Sequence, residues 1–161
     1  MVETWSFGVH GRRPVFEGDI VTETGNRREI MRHVYVDIWI GELWNKGDPA
    51  GSRILSENFF DHRPIDDFPN TKQGHVDMAI DWHQAFPDLT FDIEEVLVDG
   101  DKLVARYNSS GTHTGVLSGI AATGRPVSLS GIDIMRFDAD NRLAEWWHNE
   151  DMFGLMQQIT E

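Results

Sequence analysis

From Leu89 to Asn149 apolar and polar residues trade places almost every position. The run "LTFDIEEVLVDGDKLVARYNSSGTHTG" breaks only at Asp99–Gly100, and "VSLSGIDIMRFDADNRLAEWWHN" breaks only at "DADN". A period of two over such lengths marks half-buried strands, whose successive side chains leave opposite faces. Asp-Gly is a tight-turn pair, so each run reads as a hairpin, with the loop "GIAATGRP" between them. Four long antiparallel strands follow, and a sheet with one apolar face needs a second layer to cover it.

The residues before Pro87 supply that layer. "NRREIMRHVYVDIWIGELWNKGD" places Ile30, Val34 and Ile38, and beside them Met31, Tyr35 and Trp39, on one broad helical face. Asn26 can cap this long helix and Gly47 can end it. Asp48 and Pro49 open a second, short helix, and "NFFDHRP" follows as a short extended segment. After the loop "DDFPN", Asn70 or Thr71 caps a third helix that Pro87 ends. "DMFGLMQQI" closes the chain as a short helix capped by Asp151. Helices gathered before strands predict an α+β fold: a curved, mostly antiparallel sheet with three helices on its concave face, enclosing a pocket. Residues 26–161 form this domain. Residues 1–25, broken by Gly8, Gly11, Pro14 and Gly18, read as an N-terminal arm with "VFEGDIV" as a weak strand candidate.

Composition narrows the function. Fourteen basic against 27 acidic residues leave a formal charge of −13, which repels phosphate backbones and anionic lipid. Nucleic-acid and membrane-surface partners are therefore not expected. There is no cysteine, so disulfides, zinc–thiolate sites and thiol nucleophiles are excluded. The first residues lack the apolar core of a signal peptide and no stretch is apolar enough for a membrane span. The expectation is a soluble, cytoplasmic protein. No metal-ligand spacing, phosphate loop, dinucleotide fingerprint or nucleophile elbow is present. His75 and His83, eight apart on the third helix and roughly 80° apart in projection, make a poor ligand pair. No metal and no cofactor are expected.

The last hairpin carries the candidate chemistry. A tight loop at "DADN" would set Asp133 opposite Trp146 and Gly131 opposite His148. One face then holds Val127, Leu129, Gly131, Asp133, Met135 and Phe137 with Ala144, Trp146 and His148. The other holds Ile132, Ile134 and Arg136 with Leu143, Glu145 and Trp147. On the first face only Asp133 and His148 are ionisable. A carboxylate among apolar residues must be paired or protonated, and His148 is the near partner. An imidazole held by a carboxylate is a usual general base; the same pair serves equally as a satisfied structural contact. "GTHTG" could aim His113 at the cavity mouth, or leave it solvated near a strand end. Asp61 and His62 could reach the cavity or merely end a strand.

Taken in order, "ELWNKGD", "FFDHRP", "AFPDLTFDIEEVLVDGDKLVARYNSSGTHTG", "GIAATGRPVSLSGIDIMRF" and "EWWHNEDMFGLMQQI" resemble the SnoaL-like polyketide cyclases over about residues 28–160. The resemblance implies the α+β cone shared with nuclear transport factor, ketosteroid isomerase and scytalone dehydratase. It also implies oligomers built through the sheet, so a homodimer or homotetramer is expected. Characterised cyclases of that family close a ring by intramolecular aldol condensation without metal or organic cofactor. Their acid/base aspartate aligns with His148 here and their assisting histidine with Asp133, an exchange of residue types. The resemblance thus names Asp133 and His148 as catalytic candidates, and His113 joins them by its place in "GTHTG". Trp146, Tyr107, Phe137, Trp39 and His62 would line a pocket for a small hydrophobic molecule. Enolisation or aldol cyclisation of a carbonyl compound is the expected chemistry. A non-catalytic binding module of the same fold, or an isomerase, dehydratase or hydrolase, is the alternative.

Overall fold

The computed structural model describes residues 26–64 and 68–161. The arm, 1–25, and its strand candidate lie outside the described residues. Helix α1 spans Arg27–His33, and the Asn26 side chain accepts the Arg28 N–H at 3.2 Å to cap it. From Val34 to Trp44 the helix continues with π-type turns. A turn closed at i→i+5 is wider than an α-turn, so residues four and five apart align. Tyr35, Trp39 and Trp44 follow that spacing and all are buried. The sequence predicts one regular helix here. What overrides it is a segment apolar nearly all round, which tertiary packing rather than one stripe must satisfy.

Asp48 caps a 3-10 helix, Pro49–Ile54, with Pro49 in its first turn. It runs straight into β1, Leu55–Asp61. Helix α2, Lys72–Ala85, begins at Thr71, whose hydroxyl accepts the Gly74 N–H. Strands β2 (Thr90–Asp99), β3 (Lys102–Thr112), β4 (Pro126–Phe137) and β5 (Leu143–Glu150) follow, then α3, Met152–Thr160, capped by Asp151. Gly100 takes φ +61° in the β2–β3 turn, a conformation that costs glycine nothing.

The sheet order is β1-β5-β4-β3-β2, antiparallel throughout except that β1 lies parallel to β5. The short extended segment after the 3-10 helix is thus a fifth strand at the sheet edge. Its sequence shows that it is extended but not where it pairs, because that pairing spans most of the chain. The inner face of β3 and β4 alternates cleanly, with Leu103, Ala105, Tyr107, Ser109, Val127, Leu129, Asp133 and Met135 buried. Helices and inner face close a single apolar core. On the outer face Phe60, Leu97, Ile132 and Ile134 are exposed. Among the described residues no helix is long and apolar enough to cross a membrane.

The β4–β5 register differs from the tight-loop expectation. Asp133 stands opposite His148, Met135 opposite Trp146 and Gly131 opposite Glu150. The slip is two residues, so every side chain keeps its face. Nearer the turn the register shifts once more: Phe137 pairs with Leu143, leaving Ala144 as an extra residue. Leu143, assigned to the outer face by alternation, is therefore fully buried, and Ala144 is buried beside it.

Candidate functional site

Between the helices and the inner sheet face lies a cavity of about 1070 Å³. Trp39 and Trp44 line it from the π-helical stretch, Phe91 and Tyr107 from β2 and β3, and Trp146 from β5. Val116 and Phe153 also border it and are exposed, which marks its mouth. Asp133, His148 and Glu150 reach it from the sheet, and Arg63, Asp81 and Asp151 border it as well.

Asp133 is 2% exposed, and its hydrogen bonds come from neutral donors. Tyr35 Oη donates to Oδ2 at 2.7 Å and Trp146 Nε1 to Oδ1 at 2.9 Å. Burial pushes its carboxyl up, the two donors pull it back, and the outcome is about 7. Burial also raises Tyr35 and Tyr107 well above the ordinary phenol value. Both phenols therefore remain hydrogen-bond donors at neutral pH. A protonated Asp133 keeps both accepted bonds and has its own O–H left to give.

His148 is held from both sides. Its Nε2 lies 3.1 Å from Asp61 Oδ1, and its Nδ1 lies 2.7 and 3.0 Å from the two oxygens of Glu150. The ring stacks on Trp146, centroids 3.7 Å apart at 14°. Burial alone would lower the imidazole, but the hydrogen bonds to Asp61 and Glu150 outweigh it and raise it to about 9. At neutral pH it is an imidazolium clamped between two carboxylates. Tyr107 Oη adds a longer bond to Glu150, 3.3 Å. Gly131 makes room for this phenol: a Cβ there would run into the Tyr107 oxygen.

The direct Asp133–His148 pair anticipated from the sequence is replaced by two adjoining networks. The two residues face each other across β4 and β5, yet Asp133 bonds Tyr35 and Trp146 while His148 bonds Asp61 and Glu150. Other candidates go elsewhere. His113 is fully buried, with Nδ1 3.1 Å from the Thr123 hydroxyl and its backbone tied to Thr123, Gly124 and Arg125. It braces the loop before β4 and is outside the cavity lining. His62 lies on the outer face, stacked on Trp147 at 4.1 Å and 2.8 Å from Glu145. Phe137 is 1% exposed in the core, also outside the lining. Trp39, Tyr107 and Trp146 do line the cavity.

The family model for SnoaL-like polyketide cyclase matches residues 31–159. The chain belongs to the SnoaL-like polyketide cyclase family. Solved structures agree with the fold. TsrD from Streptomyces laurentii is 26% identical, with a TM-score of 0.71 over 83% of this chain and 95% of its own. A candidate polyketide cyclase from Bacillus cereus is 28% identical, TM-score 0.69, over 80% and 79%. AclR of Streptomyces galilaeus, a candidate hydroxylase, is 21% identical, TM-score 0.71, over 83% and 82%, and speaks for the fold alone. No curated protein is similar enough in sequence to count as a match.

In this SnoaL-like protein, sequence reasoning missed Tyr35 and Glu150. Glu150 was within reach: extending the alternation 144, 146, 148 by one step puts it on the same face. Tyr35 shares a helical face with Trp39, but nothing local says that its hydroxyl finds a residue 98 positions away. Among the described residues no group of three His, Cys, Asp or Glu side chains is placed to hold a metal.

Proposed function

We propose that this SnoaL-like protein is a cofactor-free acid/base enzyme of cyclase type, acting on a small hydrophobic carbonyl compound. The observation that carries the reading is that Asp133 and Glu150, on adjoining strands, line one cavity with different hydrogen-bond partners. Burial favours the acid form of Asp133, whose only partners are neutral donors; Glu150 faces the His148 ring, with Nδ1 2.7 and 3.0 Å from its two oxygens. A carboxyl kept protonated near neutral pH can serve as the acid, and a second carboxyl in the same cavity is then the candidate base.

Glu150 takes a proton from the carbon beside the substrate carbonyl while Asp133 gives its proton to that carbonyl oxygen. The resulting enol carbon attacks a second carbonyl of the same molecule, and one carbon–carbon bond forms. Asp133 regains its proton as the first carbonyl re-forms, and Glu150 returns its own to the new alkoxide. Protons and electrons balance without a co-reactant. His148 aims Glu150 through its Nδ1 contacts to both carboxyl oxygens. The aromatic walls hold the substrate's apolar body.

The test is exchange of α-protons for deuterium in hydrophobic β-keto esters, followed by NMR in deuterated water. Acceleration over buffer is expected, lowered by about 10²–10⁴-fold in Asp133→Asn and in Glu150→Gln. The rate should fall as pH rises through about 7, because Asp133 then loses the proton it must give. Acceleration that survives both substitutions would overturn the assignment.

One observation favours a second reading, a non-catalytic ligand-binding module: both ring nitrogens of His148 already have protein partners. Ligand binding without exchange in any β-keto ester tried would select it.

A further inference from the structure

His75, on α2, is buried to 4% exposure, and neither ring nitrogen has a hydrogen-bond partner. Its ring sits in an aromatic box. It stacks on Trp39 at 4.5 Å and meets Trp146, Phe59 and Trp44 edge-on at 5.0, 5.2 and 5.7 Å. Burial drives its pKa down to about 3, so the ring is neutral and carries one N–H and one lone pair. Phenylalanine would fill this box without two orphaned polar atoms. Buried polar groups left unpaired are rare enough to call for a reason.

A reason lies on the side of the ring facing β1. A void of about 10 Å³ is lined there by His75, Asp61, Asn70, Thr71 and Gly74, among others. That is room for one water, and among otherwise apolar walls of Phe59, Pro64, Phe68, Pro69 and Met78, the residues Asp61, Asn70, Thr71 and His75 can supply the two or more polar partners it needs. Asp61 is the carboxylate that holds Nε2 of His148. Its backbone is clamped on both sides by the Asn70 amide, which donates to its carbonyl at 2.7 Å and accepts its N–H at 2.9 Å. The carboxylate also accepts the Arg63 N–H at 2.8 Å, and the residue lies between His148 and the void.

We infer that His75 is a positioning residue: through one water held in this void it donates a hydrogen bond to Asp61, and so tunes the grip of Asp61 on the His148 imidazolium. The inference deepens the acid/base reading, on which its functional meaning rests, by adding a relay from α2 to the cavity. The groups that face His148 are Asp61 from β1, Glu150 on β5, Asp133 from β4 and Tyr107 from β3. The Arg63 guanidinium lies against its carbonyl. His75 is the neutral member behind Asp61. A donor on Asp61 shares its negative charge, so removing the donor makes the carboxylate a stronger partner for His148.

The experiment is the titration of His148 by ¹⁵N NMR in the full chain, for wild type, His75→Phe and His75→Gln. His75→Phe should raise the His148 midpoint by about 0.5–1 pH unit, the size of one hydrogen bond. His75→Gln, which keeps a donor near the void, should bring it back towards wild type. An unchanged midpoint in a folded His75→Phe protein overturns the inference. If that variant does not fold, the wild-type spectrum decides: one His75 nitrogen should show a hydrogen-bonded N–H, and two nitrogens free of hydrogen bonds would overturn it. Neither readout uses turnover, so failure here leaves the acid/base reading standing, and failure of exchange leaves the relay standing.

Discussion

Asp133 is where stability and chemistry conflict. Its folded pKa, about 7, lies above the ordinary 3.8. A group raised in this way contributes stability below its unfolded pKa and loses it as pH climbs through the folded value. At pH 8 the ionised carboxylate therefore burdens the fold. Asp133→Asn should be more stable than wild type at pH 8 by roughly 2–4 kcal/mol, since each tenfold change in proton affinity between the folded and unfolded chain is worth about 1.4 kcal/mol. The gain should vanish near pH 4, and denaturant melts at the two pH values check it. His148 shows the same sign in another window: raised to about 9, it contributes stability that is whole below 6.5 and lost as pH rises through 9. His148→Gln leaves Asp61 and Glu150 without their shared cation, at a cost of roughly 3–5 kcal/mol near pH 6. Its stability should vary less than wild type between pH 6.5 and 9. An equal slope there would remove the imidazolium from the account.

The element that sets the site is the β4–β5 pair. Its two-residue slip brings Glu150 opposite Gly131, and Gly131 lets the Tyr107 phenol lie across the strand towards Glu150. Gly131→Ala should push that buried ring aside and destabilise the fold by roughly 1–3 kcal/mol, the usual cost of overpacking. The Tyr107–Glu150 bond should be lost with it, and thermal melts with a crystal structure of the variant check both. On the helical side, α2 begins at Thr71, whose hydroxyl holds the Gly74 N–H at 3.1 Å. Thr71→Ala should cost about 1 kcal/mol. Because α2 carries His75, the variant also reports whether fraying this end loosens the aromatic box.

At the scale of the whole molecule, sheet, core and cavity are built, among the described residues, from Arg27 onward, and the family model begins at residue 31. A chain of residues 26–161 should therefore unfold cooperatively with a melting temperature within a few degrees of the full protein. Loss of cooperative unfolding would make the arm part of the fold.

Local periodicity was enough for the elements and for the faces of the strands. Alternation along β4 and β5 put Asp133, Trp146 and His148 on one face, and an even slip in register left that assignment intact. Caps at Asn26, Asp48 and Asp151 were equally legible, since a cap is a contact within one turn, and at the third helix the structure chose Thr71 over Asn70. Partners were another matter. Which residue meets Asp133 depends on the exact register beside a bulge at Ala144 and on a π-helical stretch that turns Tyr35 inward. Which carboxylate meets His148 depends on β1 pairing in parallel with a strand more than 80 residues away in the chain. Side-chain direction is a local property of the backbone, and the sequence by itself determined it. Hydrogen-bond pairing is decided by distances of a few tenths of an ångström between distant segments, and only the tertiary structure sets those.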